Sequence, residues 1–370
     1  MLKRIYIDNF RCLVNFELSV DRINLLLGAN GSGKSSVFDV LRKIQEFIIG
    51  DRKVNDIFKS TDCTRWQISP IQSFELEIAG NGGNYKYELA IEFNRKKALT
   101  LVDRECLFFD NLPLLKFEKG EVQLYRDDSS ESPSYPFDWS RSALASILPR
   151  NDNRKLIYFK NALARFAIVQ IMPSLMADES SQEEARLSAK MENFVSWYRY
   201  LSEDQGKVVQ LTNALRNILD GFEYFTFDKI SETNRVLKLV FSGKSDGIDT
   251  SYRFGEISDG QRVLIALYAL IYCTRSEDYI LCIDEPENFL ALSEIQPWLT
   301  ELYDLCSNGE IQALLISHHP ELINYLLASP VGYWFERATN RPARVKPIIN
   351  DDNDTGLPIS ELIARGWLHE

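Results

Sequence analysis

Residues 28–35 read GANGSGKS, a full match to the pattern GxxxxGK[ST]. This pattern constrains the fold because it works only between a buried strand and a helix. Both flanks fit. Ile23, Leu25, Leu26 and Leu27 form an apolar run before it, and Val37, Phe38, Val40, Leu41 and Ile44 recur at helical spacing after it. Gly28, Gly31 and Gly33 would let backbone N–H groups curl around phosphates at the positive end of that helix. Lys34 would reach the β- and γ-phosphates and Ser35 would ligate Mg²⁺. Asn30, Ser32 and Ser36 complete the candidate contact set. A Gly/Ser-rich turn with an incidental lysine is the alternative, and it leaves the two flanks unexplained. The expectation is a site for a nucleoside triphosphate, with ATP and Mg²⁺ as the ligands.

A chain of 370 residues, 45% hydrophobic and 26% charged, has room for one large domain with an insertion or for two domains. Cys12, Cys63, Cys106, Cys273, Cys282 and Cys306 show no CxxC pair. They read as small buried hydrophobes of a reducing compartment, not as disulfides or zinc ligands. The opening MLKRIYIDNF goes straight into strand-like alternation, which does not suggest a leader. Val263 to Cys273, the longest apolar stretch, is too short to cross a bilayer and reads as a buried helix. A soluble cytoplasmic protein with no membrane partner is therefore expected. The net charge of −11 makes non-specific DNA binding possible but not favoured.

Along the chain, Ile5, Ile7 and Phe10, then Phe16, Leu18 and Val20, alternate as a hairpin would. Between Gln72 and Tyr125 the pattern is again β: Phe74, Leu76 and Ile78 go up, NGG at 81–83 turns, and Tyr85, Tyr87, Leu89 and Ile91 return. Further strands are expected over Leu99 to Phe109 and near Leu114 and Val122. RDDSSESPSYP at 126–136 is a polar break. From about Ser140 to Leu219 the spacing turns helical, with one stripe of Leu156, Phe159, Leu163, Phe166 and Ile168 and another of Phe194, Trp197, Tyr198 and Leu201. The expected organisation is a first lobe at 1–139, a helical insertion at 140–222 and a second lobe at 223–370. VGYWFERATNRPARVKPII reads as a last strand pair. NDDNDTG then reads as a solvated turn, and Leu357 to Glu370 as a docked helix or partner-binding tail.

Two downstream strands end in chemistry. Tyr279 to Ile283 is an apolar run closed by Asp284 and Glu285. That placement lets Asp284 hold Mg²⁺ and Glu285 orient or deprotonate a water. An acidic turn after a core strand is the bland reading. Ala313 to Ile316 is the second run, ending in Ser317, His318 and His319. Two adjacent histidines diverge and are too few for zinc. Upstream, Ser258, Asp259, Gly260 and Gln261 directly precede a helical run, where SDG is also a good N-cap and turn.

Taken in order, NFR, GANGSGKS, SDGQ, IDEPEN and ISHHPE resemble the cytosolic ABC-type ATPases of the RecF/SMC class, and within it the compact OLD-like, AAA-type bacterial ATPases. The resemblance covers most of the chain and is weakest over 126–220. It implies an α/β, two-lobed P-loop ATPase head with an antiparallel β-rich first lobe and a short helical insertion. It also implies a homodimer on ATP binding, in which two heads sandwich two nucleotides. Ser258, Gly260 and Gln261 would then be a signature aimed at the γ-phosphate of the partner, and His318 the switch residue that senses it. Arg11, in NFR, would approach the nucleotide, although a solvent-facing arginine after a core Phe is equally open.

Three features depart from the family. The loop after the acidic strand, Glu287 to Leu292, lacks the family's His and Pro. The Q-loop glutamine has only Gln72 and Gln123 as candidates, and the middle segment carries no hook cysteines. The implied function is an ATP-hydrolysing switch on a separately encoded effector, a nuclease or toxin in anti-phage defence. The alternative is a RecF-like repair ATPase that holds DNA directly. A transporter subunit fits the N-terminal hairpin poorly, and a non-hydrolysing scaffold would not be expected to keep Glu285.

Overall fold

The computed structural model describes residues 1–94, 99–243, 249–275, 278–319, 322–324, 332–348 and 361. The chain forms two compact units. One is Met1–Phe166 with Ser329–Asp352, and the other is Ala167–Ala328 with Asn353–Glu370.

The first unit opens with β1 (Leu2–Asp8), β2 (Phe16–Ser19) and β3 (Ile23–Gly28), then α1 (Lys34–Ile49) and α2 (Val54–Ile57). There follow β4 (Ile71–Gly80), β5 (Gly83–Asn94), β6 (Leu99–Phe109), β7 (Leu112–Glu118), β8 (Glu121–Leu124) and β9 (Tyr135–Pro136), and the helices α3 (Ala143–Ser146) and α4 (Arg154–Ala164). Eight strands pair antiparallel in the order β2-β1-β4-β5-β6-β7-β8-β9. The β4–β5 hairpin turns at Asn81 and Gly82, with φ of 51° and 79°, the left-handed pair that a two-residue turn needs.

Period-2 alternation decides which face of this sheet is buried. Ile5, Ile7, Phe74, Leu76, Tyr85 and Tyr87 point inward, and Tyr85 and Tyr87 meet Tyr158 and Phe159 of α4. The opposite face carries a ladder of charges, in which Arg4 bridges Glu17, Glu75 and Glu77 and Glu88 bridges Lys86 and Arg104. Helix α1 buries Val37, Phe38, Val40, Leu41, Ile44, Phe47 and Ile48. Truncating one of these to alanine costs about 2–5 kcal/mol, so the helix behind the phosphate-binding loop is firmly seated.

The second unit holds β10 (Phe166–Gln170), β11 (Glu179–Ser180), α5 (Phe194–Leu201), α6 (Gln205–Arg216), β12 (Phe222–Lys229), β13 (Arg235–Phe241) and β14 (Thr250–Arg253). Next come α7 (Asp259–Tyr272), β15 (Ile280–Asp284), α8 (Leu292–Ser307) and β16 (Gln312–Ile316). β10, β15 and β16 are neighbours in that order, with β15 and β16 parallel. β13 sits between β12 on one side and β11 and β14 on the other. Every residue from Val263 to Ile271 of α7 is buried, and Trp298 of α8 donates its indole N–H to the Leu267 carbonyl at 3.0 Å. The last strands, β17 (Gly332–Glu336) and β18 (Arg344–Ile348), belong to the first unit, where β17 runs parallel to β3 and antiparallel to β18.

The α/β class and the antiparallel first sheet follow the sequence reading, and all six cysteines are buried thiols outside any disulfide. One stripe needs correction. α4 ends at Ala164, and Phe166 and Ile168 lie on β10, all but the last residue of which is buried. A run of apolar residues buried on both faces has no usable period, and FAIVQ merged with the helical stripe before it. No helix among the described residues is long and apolar enough to cross a membrane. The acidic turn after residue 348 and, apart from Glu361, the C-terminal segment lie outside the described residues.

Candidate nucleotide site

In the first unit, all six residues of β3 are buried, and the strand delivers the chain to Gly28 at φ 139°. A Cβ on Gly28 would lie 2.3 Å from the carbonyl oxygen of Phe335, its partner on β17. Gly31 and Gly33 follow at φ 79° and 112°, and a Cβ on Gly33 would sit 2.9 Å from Cys12 Sγ. The loop is thus closed to side chains at both ends, and its backbone runs in conformations that favour glycine. Gly33 precedes α1 with no side chain to cap it, and the first turn of α1 carries no acid. The positive end of a 16-residue helix is therefore left for an anion.

Lys34 is 5% exposed, and its ammonium donates to the carbonyls of Gly28 at 2.5 Å and Ala29 at 3.2 Å. The Ser32 hydroxyl is buried and has no hydrogen-bond partner among the described residues, an orphan that a phosphate oxygen would satisfy. Asn30 and Ser35 face solvent and Ser36 is buried. A cradle of glycines, a buried ammonium, an open helix end and an orphaned hydroxyl fit a polyphosphate.

Arg11 follows the fully buried Phe10 at φ 49°. Its guanidinium pairs with Asp39 of α1 at 2.5 Å and with Asp62 at 3.5 Å, and stacks over the Phe10 ring. Partial burial works against the charge, but the Asp39 and Asp62 carboxylates outweigh it and push the group above its ordinary value. The side chain is 43% exposed, so it is an anchored cation beside α1 and not a free one. Gln72 is fully buried and donates to the Asn9 carbonyl behind this turn, whereas Gln123 donates to Leu124 and Ser132 on the far strands.

In the second unit, Asp284 closes β15 opposite Ile316 of β16, and the Glu285 N–H donates to the Ile316 carbonyl at 2.9 Å. Glu285 itself sits at φ 52°, an uncommon conformation for a non-glycine residue and one that clusters at functional sites. Its carboxylate accepts from Asn288 Nδ2 at 2.8 Å. His318 is exposed just past the end of β16. Asp284, Glu285 and His318 thus share the C-terminal ends of two neighbouring parallel strands, where open α/β sheets carry their ligands.

The SDGQ segment has a local role. Ser258 caps α7 by accepting from the Gln261 N–H at 3.2 Å, while the Gln261 side chain accepts from the Ser258 N–H at 3.1 Å. Gly260 faces the loop after β15, where a Cβ would lie 3.0 Å from the Phe289 carbonyl oxygen. Arg262 fixes the approach to the helix, donating to the carbonyls of Ile257, Gly255 and Pro173. Gly28 to Ser36 and Arg11 belong to the first unit, whereas Ser258, Gly260, Gln261, Asp284, Glu285 and His318 belong to the second.

Sequence reasoning missed two residues. Arg337 donates to the Gly31 carbonyl and lies over the Trp66 ring. Glu287, read only as part of an unusual loop, has its carboxylate at the end of β16. Neither carries a local signal, because both act on residues distant in sequence.

Two ATPase-family models match the chain. One, described as "AAA ATPase domain", matches residues 1–119, and the other, described as "AAA domain, putative AbiEii toxin, Type IV TA system", matches residues 178–324. Together they take in the phosphate loop, the capped α7 and the ends of β15 and β16. Among solved structures, the SMC head (SmcHead) bound to the C-winged helix domain of ScpA is 10% identical with a TM-score of 0.56, over 95% of this chain and 98% of that one. An SMC head domain from Thermotoga maritima is 12% identical with a TM-score of 0.48, over 94% and 99%. No curated protein matches. Two segments of the chain are thus similar to AAA-type ATPase domains, and its fold is similar to that of an SMC head.

Proposed function

We propose that this chain binds ATP with Mg²⁺, hydrolyses it, and uses the cycle as a switch. The observation that carries the reading is the loop from Gly28 to Lys34, whose closed glycine positions, buried ammonium and orphaned Ser32 hydroxyl suit the β- and γ-phosphates. Among the described residues no three His, Cys, Asp or Glu gather closely enough to hold a metal unaided. In this reading the Ser35 hydroxyl, the Asp284 carboxylate and the phosphate oxygens of the substrate would be the ligands of the cation. Bound there, Mg²⁺ would neutralise charge on the transferred phosphoryl group.

In this reading Lys34 holds the phosphates, Glu285 orients the attacking water and takes its proton, and His318 contacts the γ-phosphate. Arg11 and Ser36 complete the nucleotide contacts, with Asn30 at the open side of the loop. The resemblance to ABC-type heads supports an ATP-dependent homodimer in which Ser258, Gly260 and Gln261 meet the partner's nucleotide. An SMC head was crystallised on a winged-helix domain of another protein, which supports a head that acts through a separate partner. The similarity of residues 178–324 to the AAA domain of a putative AbiEii toxin of a type IV toxin–antitoxin system supports a role in bacterial anti-phage or toxin–antitoxin-like defence. The net charge of −11 favours a protein effector over direct duplex DNA.

The test is ATP turnover with light scattering on the wild type, Lys34→Ala and Glu285→Gln. Lys34→Ala should lose turnover. Glu285→Gln should bind ATP, hydrolyse it at least about a hundredfold more slowly and accumulate as a dimer. Normal turnover in Lys34→Ala overturns the site, and a monomeric Glu285→Gln with ATP overturns the sandwich.

A further inference from the structure

The parallel ladder of β15 and β16 ends in a backbone bond, Glu285 N–H to the Ile316 carbonyl, and the next two residues of the β16 side are held by a side chain. Glu287 Oε1 accepts the Ser317 hydroxyl at 2.6 Å and the His318 N–H at 3.3 Å. The Ser317 oxygen in turn accepts the His319 N–H at 3.1 Å. Ser317 is fully buried, so its end of the network is shielded from competing water, while the His318 N–H bond lies at the exposed edge. The second carboxylate oxygen of Glu287 is also buried and has no hydrogen-bond partner among the described residues. A buried acceptor left unsatisfied is costly.

We propose that Glu287 is the positioning residue for His318, tying the loop that carries Glu285 to the Ser317 hydroxyl and the His318 N–H so that base and switch are held in one geometry. The inference rests on the hydrolysis reading and adds a residue to it. Three consecutive features make the tether specific. Glu285 is held at φ 52°, its carboxylate is steadied by Asn288, and the chain then brings Glu287 back across to β16. Movement of His318 against a phosphate would therefore be transmitted to the Glu285 loop through one carboxylate. Glu287 works here purely as an acceptor and moves no proton, and an amide carbonyl can replace it in that role. Glu285, the proposed base, has no such substitute.

The experiment compares Glu287→Ala, Glu287→Gln, His318→Ala and the Glu287→Ala/His318→Ala pair, using the full chain. Amide hydrogen exchange without nucleotide reads the tether directly. The 318 and 319 amides should exchange faster in Glu287→Ala and near the wild-type rate in Glu287→Gln. Unchanged exchange in Glu287→Ala overturns the tether whatever the ATPase does. Steady-state turnover reads the consequence. Glu287→Ala should lower kcat about tenfold or more with KM for ATP within about twofold, as loss of orientation does. Glu287→Gln should recover most of that loss, and the double variant should be no slower than His318→Ala alone. Independent, multiplying effects, or a Gln variant as slow as Ala, overturn the positioning role. A wild type without turnover overturns the hydrolysis reading instead, and the exchange result still decides the tether.

Discussion

The guanidinium of Arg337 donates to the carbonyl of Gly31 at 3.1 Å, joining two residues 306 positions apart at the crown of the phosphate loop. The same guanidinium donates to the Arg341 carbonyl and lies 5.7 Å from the centre of the Trp66 ring, which is itself 39% exposed. The loop is therefore braced from a segment beyond β17, outside the strand and helix that define its motif.

Arg337→Ala should loosen the loop without unfolding the unit. A charge-assisted bond from an exposed donor contributes roughly 1 kcal/mol, which corresponds to about a fivefold loss of ATP affinity. Arg337→Lys should restore little, because an ammonium supplies neither the planar fork nor the stack on Trp66. Calorimetric titration with ATP checks both variants. Wild-type affinity in Arg337→Ala would mean that the brace has no bearing on the nucleotide.

Gly28 and Gly31 of the loop should differ in what alanine costs them. At Gly28 the new Cβ meets a backbone carbonyl oxygen at 2.3 Å and the φ of 139° is also wrong for alanine. Clash and strain together should destabilise the first unit by on the order of 3 kcal/mol or more. At Gly31 nothing lies within 4 Å, so only the left-handed φ of 79° is charged against the variant, about 1 kcal/mol. Thermal unfolding should therefore rank Gly28→Ala well below Gly31→Ala, and equal midpoints would contradict the close approach of β17 to β3.

What the sequence made legible follows from how far apart the interacting residues are. The strand, loop and helix around Lys34 could be read because the motif and its flanks lie within about twenty residues. The antiparallel first sheet was legible for the same reason, its hairpins being local and its alternation unambiguous. Phe166 and Ile168 were misplaced because burial on both faces of β10 erases the period that separates strand from helix. Glu105 gave no signal at all. It is fully buried and accepts from Tyr87, Ser142 and the Ala143 N–H, and only the packing of the start of α3 against the sheet brings those donors together. Arg337 and Glu287 escaped in the same way, one reaching across to Gly31 and the other to Ser317.

Ser258 separates a structural role from a catalytic one. Its hydroxyl caps α7, and aspartate is as good an N-cap as serine and also suits the positive end of the helix. Ser258→Asp should therefore keep the unfolding midpoint of the second unit, with a change under about 0.5 kcal/mol. If Ser258 also faces a partner's γ-phosphate, the added charge is repelled by several kcal/mol at contact distance, about 4 kcal/mol at 4 Å for an effective dielectric near 20. Turnover should then fall by two orders of magnitude or more while nucleotide binding by the isolated chain is spared. Stability and ATPase rate measured on the same preparation decide the matter. A stable variant with wild-type turnover would reduce Ser258 to its cap, and a stable variant without turnover would place the start of α7 at the phosphates.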